Sequence, residues 1–162
     1  RDQLAQLREG ALPALERRSA TPIVAVTCAQ APASHRDALR ARGAYVHEVS
    51  CVGNLHTSVV ERFLRDGVPG VMICGCPPRD CVSREGPKWL DARLYHDREA
   101  ELQARVDRRR VRVTTLAAGD LRRALADYDD FARELSALHV PGRNEEPEPE
   151  LVCEPVPYEE NE

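Results

Sequence analysis

The stretch that decides the fold is GVMICGCPPRDC, residues 70–81. Its first four residues form a short apolar run, which predicts a buried β-strand. Cys74, Cys76 and Cys81 follow within and just after this strand, together with two prolines. A strand that ends among several thiols is unusual, so the end of this strand is the first candidate for a functional site.

Strands and helices alternate on either side of this stretch. Besides GVMICGC, strands are predicted at PIVAVTC (residues 22–28), AYVHEVSC (residues 44–51) and VRVTTLAA (residues 111–118). Helices are predicted at HRDALRARG (residues 35–43), NLHTSVVERFLRDG (residues 54–67), KWLDARLYHDREAELQARVDRR (residues 88–109) and from Asp120 to Leu138. This alternation predicts an α/β fold, a three-layer sandwich in which helices cover both faces of a four-stranded, mostly parallel sheet.

Two segments flank the predicted α/β domain, which spans residues 22–140. Residues 1–21 are predicted to be a connector helix, broken by a glycine and a proline. The chain begins with Arg1 rather than Met, so we expect this connector to follow an upstream domain. Residues 141–162 form an acidic, proline-rich tail without periodicity, where Cys153 is expected to be a free thiol.

Composition narrows the classes of function. The net charge of −4 disfavours a nucleic-acid partner, because such proteins usually carry a basic excess. No apolar run is long enough for a membrane span and no signal peptide is visible, so we expect a cytoplasmic protein that reaches membranes only through partners or upstream domains. Six cysteines in a chain without a secretory signal favour metal or redox chemistry over a disulfide framework.

The predicted topology brings several cysteines to one edge of the sheet. Cys28 ends the first strand, Cys51 the second, and Cys74 and Cys76 the third, while Cys81 lies in the loop that follows. Parallel strands all end at the same edge, and neighbouring strands are only about 4.8 Å apart. This carboxyl edge is also where open α/β sheets bind ligands. Buried cysteines that behave as small apolar side chains are the alternative reading.

Four of these cysteines form the predicted ligand set. Cys76 and Cys81 have the C-x4-C spacing that is also found in ferredoxin-type sites, and Cys28 and Cys51 complete the set. Cys74 is expected on the same strand face as Cys76 but one pleat deeper, and therefore buried.

The spacing of the cysteines favours iron–sulfur over zinc. Structural zinc sites prefer paired C-x2-C knuckles, and the sequence has none. A 2Fe–2S cluster accepts dispersed thiolates and carries net negative charge. Gly53 and Asn54 are predicted to begin a helix whose N-terminus compensates this charge. Arg79, Arg84 and Lys88 flank the last cysteine and either face the cluster or lie in a solvated loop.

The residues described above resemble the hydrogenase iron–sulfur subunit family, known from the delta subunit of methyl-viologen-reducing hydrogenase. The resemblance covers about residues 22–138 and is most specific in GCPPRDCVSREGPKW, residues 75–89. It implies a 2Fe–2S cluster in an electron-transfer component rather than a stand-alone enzyme. It also implies redox partners: a hydrogenase or another donor, and ferredoxin-like or flavin-containing subunits of the heterodisulfide-reductase type.

Two positions depart from the family pattern. Ala31 stands where the family often has a second cysteine, three residues after Cys28, and Val82 stands where histidine commonly follows the last loop cysteine. The first departure leaves the four cysteines already named as the simplest ligand set. Both departures bear on the identity of the partner more than on the cluster.

Two other classes of function remain open at this stage. One is a thiol enzyme that acts through Cys51 near a helix N-terminus, with His56 close by in sequence. The other is an interaction module that kept the fold and lost the cluster. The sequence contains no G-x-G-x-x-G or Walker motif, so a nucleotide or flavin of its own is not expected.

Overall fold

In the computed structural model, four parallel strands form one sheet in the described residues, which are 2–13, 22–96 and 102–138. The strands are β1 (Val24–Cys28), β2 (Tyr45–Val49), β3 (Val71–Gly75) and β4 (Val111–Thr115). Their order is β2-β1-β3-β4, and every pairing is parallel. The predicted α/β sandwich with its parallel sheet is therefore confirmed.

Helices precede, connect and follow these strands. The α-helices are α1 (Asp2–Gln6), α2 (Ala33–Ala41), α3 (Thr57–Arg65), α4 (Gly86–Tyr95) and α5 (Leu121–Ala137). A π-helical turn at Leu7–Ala11 follows α1, and 3-10 turns lie at Val52–Asn54 and Arg108–Arg110. None of the helices in these described ranges is long and apolar enough to cross a membrane.

Two apolar layers pack against the sheet, one on each face. On the first face, Val26 and Ile73 pack with side chains of α3 and α4, including Phe63 and Leu90. On the second face, residues of β1 and β3 pack with α2 and α5, where Phe131 is fully buried. All five residues of β1 and of β3 are buried, as expected for central strands covered on both sides.

The strand order creates a reversal between β1 and β3. From β1 the chain moves outward to β2 on one side, and from β3 it moves outward to β4 on the other. Loops that follow β1 and β3 therefore leave in opposite directions and open a crevice at the carboxyl edge. Such a switch point is the usual ligand site of open α/β sheets.

One predicted helix is shorter than the sequence pattern indicates. The pattern of apolar residues predicts a helix over residues 88–109, but α4 ends at Tyr95 and the segment from Leu102 to Asp107 is not helical. Leu102 is 1% exposed, and its N–H donates to the carbonyl of Arg93. The period of four thus arises from one helix and a separate non-helical segment that fill the same core, so the helix prediction is wrong for residues 102–107, while residues 97–101 lie outside the described residues.

The two flanking segments are only partly described. Residues 2–13 contain the short helix α1 and the π-helical turn that follows it. The rest of the connector before Pro22 and the predicted tail at residues 141–162, including Cys153, lie outside the described residues.

Candidate thiol site at the switch point

Two of the predicted ligands lie at the switch point itself. Cys28 is the last residue of β1 and is 3% exposed, while Cys76 directly follows β3 and is half-buried. The Cys28 thiol donates to the carbonyl of Ser50, with 3.5 Å between Sγ and O. Ser50 precedes Cys51, so this contact draws the end of β2 toward the end of β1.

Cys76 lies close enough to the other three predicted ligands to be influenced by their charge. Burial raises the pKa of the Cys76 thiol to about 11, and Cys28, Cys81 and Cys51 each raise it further. Each neighbouring thiol opposes a second negative charge, because like charges in close proximity disfavour ionisation. A bound metal centre would supply the positive charge that makes several thiolates compatible in so small a space.

Gly86 brings Cys51 and Cys81 to the same point. A β-carbon on Gly86 would lie 3.2 Å from Sγ of Cys51 and 3.3 Å from Sγ of Cys81, so both sulfurs face this glycine. A β-carbon on Gly53 would lie only 2.3 Å from the α-carbon of Gly86. The two glycines therefore permit a backbone approach that no side chain at Gly53 allows.

The helix whose N-terminus lies beside Cys51 and Cys81 is α4, whereas the sequence predicts the helix that follows Cys51. Gly86 is the first residue of α4, and Pro87 occupies its first turn, where a residue without an N–H is well tolerated. The positive end of the helix dipole thus lies beside Cys51 and Cys81. A helix N-terminus in this position favours negative charge by about 0.3–1 kcal/mol.

No α-helix begins at Asn54, so the prediction that Gly53 and Asn54 begin this helix is wrong. Val52 and Leu55 are both buried, and the chain between them forms a 3-10 turn in which the Asn54 N–H donates to the carbonyl of Cys51. The helix α3 begins later, at Thr57, and Nδ1 of His56 accepts from the Ser58 N–H as its cap. The Asn54 side chain is exposed, whereas Gly53 is buried against Gly86.

Arg93 ties the loop after Cys51 to α4. Its guanidinium donates to the carbonyl of Gly53, in the middle of the 3-10 turn. Because Gly53 and Gly86 are in contact, this bond fixes the turn on the surface of α4 close to both thiols. A charged donor on a buried carbonyl is one of the stronger kinds of hydrogen bond in proteins.

Cys74 lies apart from the other thiols. It is fully buried among the residues that pack under α5, on the face of the sheet opposite to the one that Cys76 contacts. Burial, with a smaller contribution from the charge of Asp127, raises its pKa to about 12. Its predicted burial is confirmed, but the predicted shared face with Cys76 is wrong.

The basic residues of the loop point toward solvent. Arg79, Arg84 and Lys88 are exposed, and Lys88 forms an ion pair of 3.6 Å with Glu85. Arg84 has a φ of 57°, an uncommon conformation for a side chain other than glycine. Val82 is 77% exposed between these charges. The loop is therefore an exposed rim beside Cys81 rather than a shell of charges around the thiols.

The described residues contain no compact set for one metal ion. Within residues 2–13, 22–96 and 102–138, no group of three or more His, Cys, Asp or Glu side chains is arranged to hold a metal ion. The four thiols are neighbours, but they are not close enough together to bind a single ion.

Sequence reasoning missed two residues that shape this site. Gly86 carries a visible signal, since proline is favoured in the first turn of a helix and Pro87 therefore indicates a helix start beside Gly86. Arg93 carries none, because an arginine in an amphipathic helix usually extends into solvent. The turn after Cys51 brings the Gly53 carbonyl to Arg93, and the sequence does not reveal where this turn lies.

A parallel α/β domain with thiols gathered at the carboxyl edge of its sheet is the class of protein that this fold and site define. The chain belongs to the family of the methyl-viologen-reducing hydrogenase delta subunit, whose family model matches residues 23–139. The resemblance inferred from the sequence is thereby confirmed. No curated protein matches the chain at the required significance.

Proposed function

We propose that this domain carries a 2Fe–2S cluster on Cys28, Cys51, Cys76 and Cys81 and relays electrons between redox subunits of a larger oxidoreductase complex. The single observation that carries the proposal is the placement of these thiols at the carboxyl edge of the sheet: Cys28 and Cys76 lie at the ends of the neighbouring strands β1 and β3, and the sulfurs of Cys51 and Cys81 both face Gly86. Family membership supports a role beside a hydrogenase or a related reductase.

The residues present fit a thiolate-bound cluster. Four thiols supply the donor set of a 2Fe–2S centre. Gly86 leaves the space between Cys51 and Cys81 free of a β-carbon. When bound, such a cluster accepts and returns one electron at a time.

The protein's own residues hold and shield the centre. Cys28 and the buried side chains beneath it close the inner side, because Cys28 is almost fully buried in the core. The N-terminus of α4 offsets the negative charge of the thiolates. The exposed loop from Pro78 to Glu85 leaves the Cys81 side close to solvent, where a partner can approach.

Metal analysis tests the proposal directly. Protein purified without oxygen should contain about two irons and two sulfides per chain, with charge-transfer absorption in the visible range. Stoichiometric zinc without iron would contradict the proposal. Colourless, metal-free protein with one unusually reactive thiol would favour a thiol enzyme, and metal-free protein with ordinary thiols would favour an interaction module.

A further inference from the structure

The N-terminal segment contacts the loop that carries Cys51. The Gln3 side-chain amide donates from Nε2 to the carbonyl of Asn54 at 3.0 Å. Its Oε1 accepts from the N–H of His56 at 3.1 Å. One side chain thus pairs with two main-chain groups of the loop, on both of its hydrogen-bonding sides, as a neighbouring strand would.

Gln3 is presented by an anchored segment. Leu4, next to it, packs against the core cluster on the first face of the sheet. Ala11 and Leu12 are 3% and 7% exposed and belong to the same cluster. The apolar contacts therefore hold α1 in place, and the amide of Gln3 is directed at the loop from a fixed base.

The loop between Cys51 and α3 has little regular structure to hold it. Side chains from two other elements hold it instead. Arg93 of α4 donates to the Gly53 carbonyl, and Gln3 of α1 binds the carbonyl of Asn54 and the N–H of His56. The three main-chain groups that these side chains bind, on Gly53, Asn54 and His56, lie within five residues of Cys51 along the chain. The family match begins at residue 23, so Gln3 lies outside it.

We propose that Gln3 is a positioning residue for the loop that carries Cys51, and that a segment preceding the family domain thereby sets where this thiol lies relative to the other three. The effect on the position of the loop does not depend on the proposed function. The effect on a bound cluster rests on the proposed function.

Amide hydrogen exchange of the full chain tests the effect on the loop. Gln3→Ala removes the acceptor of the His56 N–H, so exchange at His56 should become about fivefold faster, as expected for the loss of one ordinary hydrogen bond. Gln3→Glu keeps an acceptor oxygen and should exchange more slowly at His56 than Gln3→Ala. Gln6→Ala is the matched control, because Gln6 is an exposed glutamine of the same helix.

Two outcomes would overturn the effect on the loop. One is unchanged exchange at His56 in Gln3→Ala. The other is an equal acceleration in α5, since this would indicate a loss of global stability rather than a local release. Faster exchange at His56 alone, with Gln6→Ala unchanged, supports the proposal.

Spectroscopy of the iron-loaded protein tests the effect on the cluster. Gln3→Ala should change the visible circular dichroism of the protein while its iron content stays the same, because the direction of the Cys51 thiol changes and its identity does not. An unchanged spectrum together with faster exchange at His56 would overturn the role toward the cluster. A protein that binds no iron would contradict the proposed function, while the exchange result would still decide the role of Gln3 in the loop.

Discussion

Cys74 and Cys76 are separated by one residue, yet they contact opposite faces of the sheet. The alternation of side chains along a strand predicts a shared face for residues two apart. That rule fails here because β3 ends at Gly75, so Cys76 lies outside the strand whose alternation the rule describes. The sequence correctly indicates which thiol is buried, but the side of the sheet depends on a strand end that periodicity does not locate to within one residue.

Serine substitution separates the proposed ligands from the other thiols. Serine at Cys28, Cys51, Cys76 or Cys81 should abolish or strongly reduce bound iron and visible absorption, because a hydroxyl is a poorer ligand for iron in such sites. Iron content per folded chain and the absorption spectrum provide the measurement.

Two matched controls accompany this series. Cys74→Ala should keep its iron, because Cys74 lies on the other face, while losing about 1 kcal/mol of stability from the truncated buried side chain. Cys153→Ser should leave the spectrum unchanged. Loss of iron in Cys74→Ala as complete as in Cys76→Ser would show that the ligand set is misassigned.

At the scale of secondary-structure elements, the site depends on how closely α4 approaches the 3-10 turn at Val52–Asn54. Cys51 directly precedes the turn, Cys81 lies on the loop that leads into α4, and the two elements meet at Gly53 and Gly86 and through the bond from Arg93 to the Gly53 carbonyl. A larger separation between the turn and α4 would move the Cys51 thiol away from the Cys81 thiol. Two residues without a functional group therefore allow two cysteines on different loops to come close together.

Gly53→Ala tests this packing. The added methyl group would overlap the α-carbon of Gly86, and backbone must move to accommodate it. We expect a loss of about 1–3 kcal/mol in the free energy of unfolding, with a reduced iron content. Gly119→Ala is the control, because a β-carbon there meets no atom within 4 Å, and it should change stability by less than about 0.5 kcal/mol. Equal urea midpoints and iron contents in the two variants would exclude a role for the glycine contact.

Sequence periodicity predicts the elements of this chain better than their ends. The helix stops at Gly43 and Gly67 were predictable, since both adopt the positive φ that glycine favours. The start of α3 was not, because burial of Leu55 extends the loop and transfers the cap from Asn54 to His56. Caps depend on which side chain reaches the first free N–H groups, and tertiary packing decides this.

At the scale of the whole molecule, the convergence of the thiols follows from the strand order. The sequence predicts parallel strands with cysteines at their ends, and this alone places them on one edge. It does not reveal that β1 and β3 are neighbours at the reversal, because many orders of four parallel strands satisfy the same alternation. The order β2-β1-β3-β4 places the ends of β2, β1 and β3 side by side, and Cys51, Cys28 and Cys76 lie at or just after these ends.

The exposed loop beside Cys81 predicts that association with the proposed redox partner depends on salt concentration. Arg79 and Arg84 lie on the loop next to Cys81, so their replacement by alanine should slow electron transfer to an acidic partner subunit severalfold at low salt and leave the iron content intact. The difference from the unchanged protein should shrink at high ionic strength, where exposed charges are screened. Stopped-flow kinetics over a salt series provides the measurement.

The double variant Arg40→Ala, Arg65→Ala is the control for this experiment. Both arginines are exposed near the C-terminal ends of α2 and α3, at the opposite edge of the sheet from the thiols. Normal transfer at low salt in the loop variant would place the docking surface elsewhere. Loss of iron in the loop variant would instead assign the two arginines to cluster stability.

The parallel sheet also dictates when the four thiols can meet during folding. Each of its three pairings requires a crossover connection, so none forms from a simple hairpin. The central strand β1 is synthesised first but obtains its inner neighbour β3 only after β2 and α3 have been made. Until then the thiols are far apart on a mobile chain and exposed to oxidants. The proposed cluster would therefore have to be inserted after the strands have paired, and Cys81 is the last of its four proposed ligands to be synthesised.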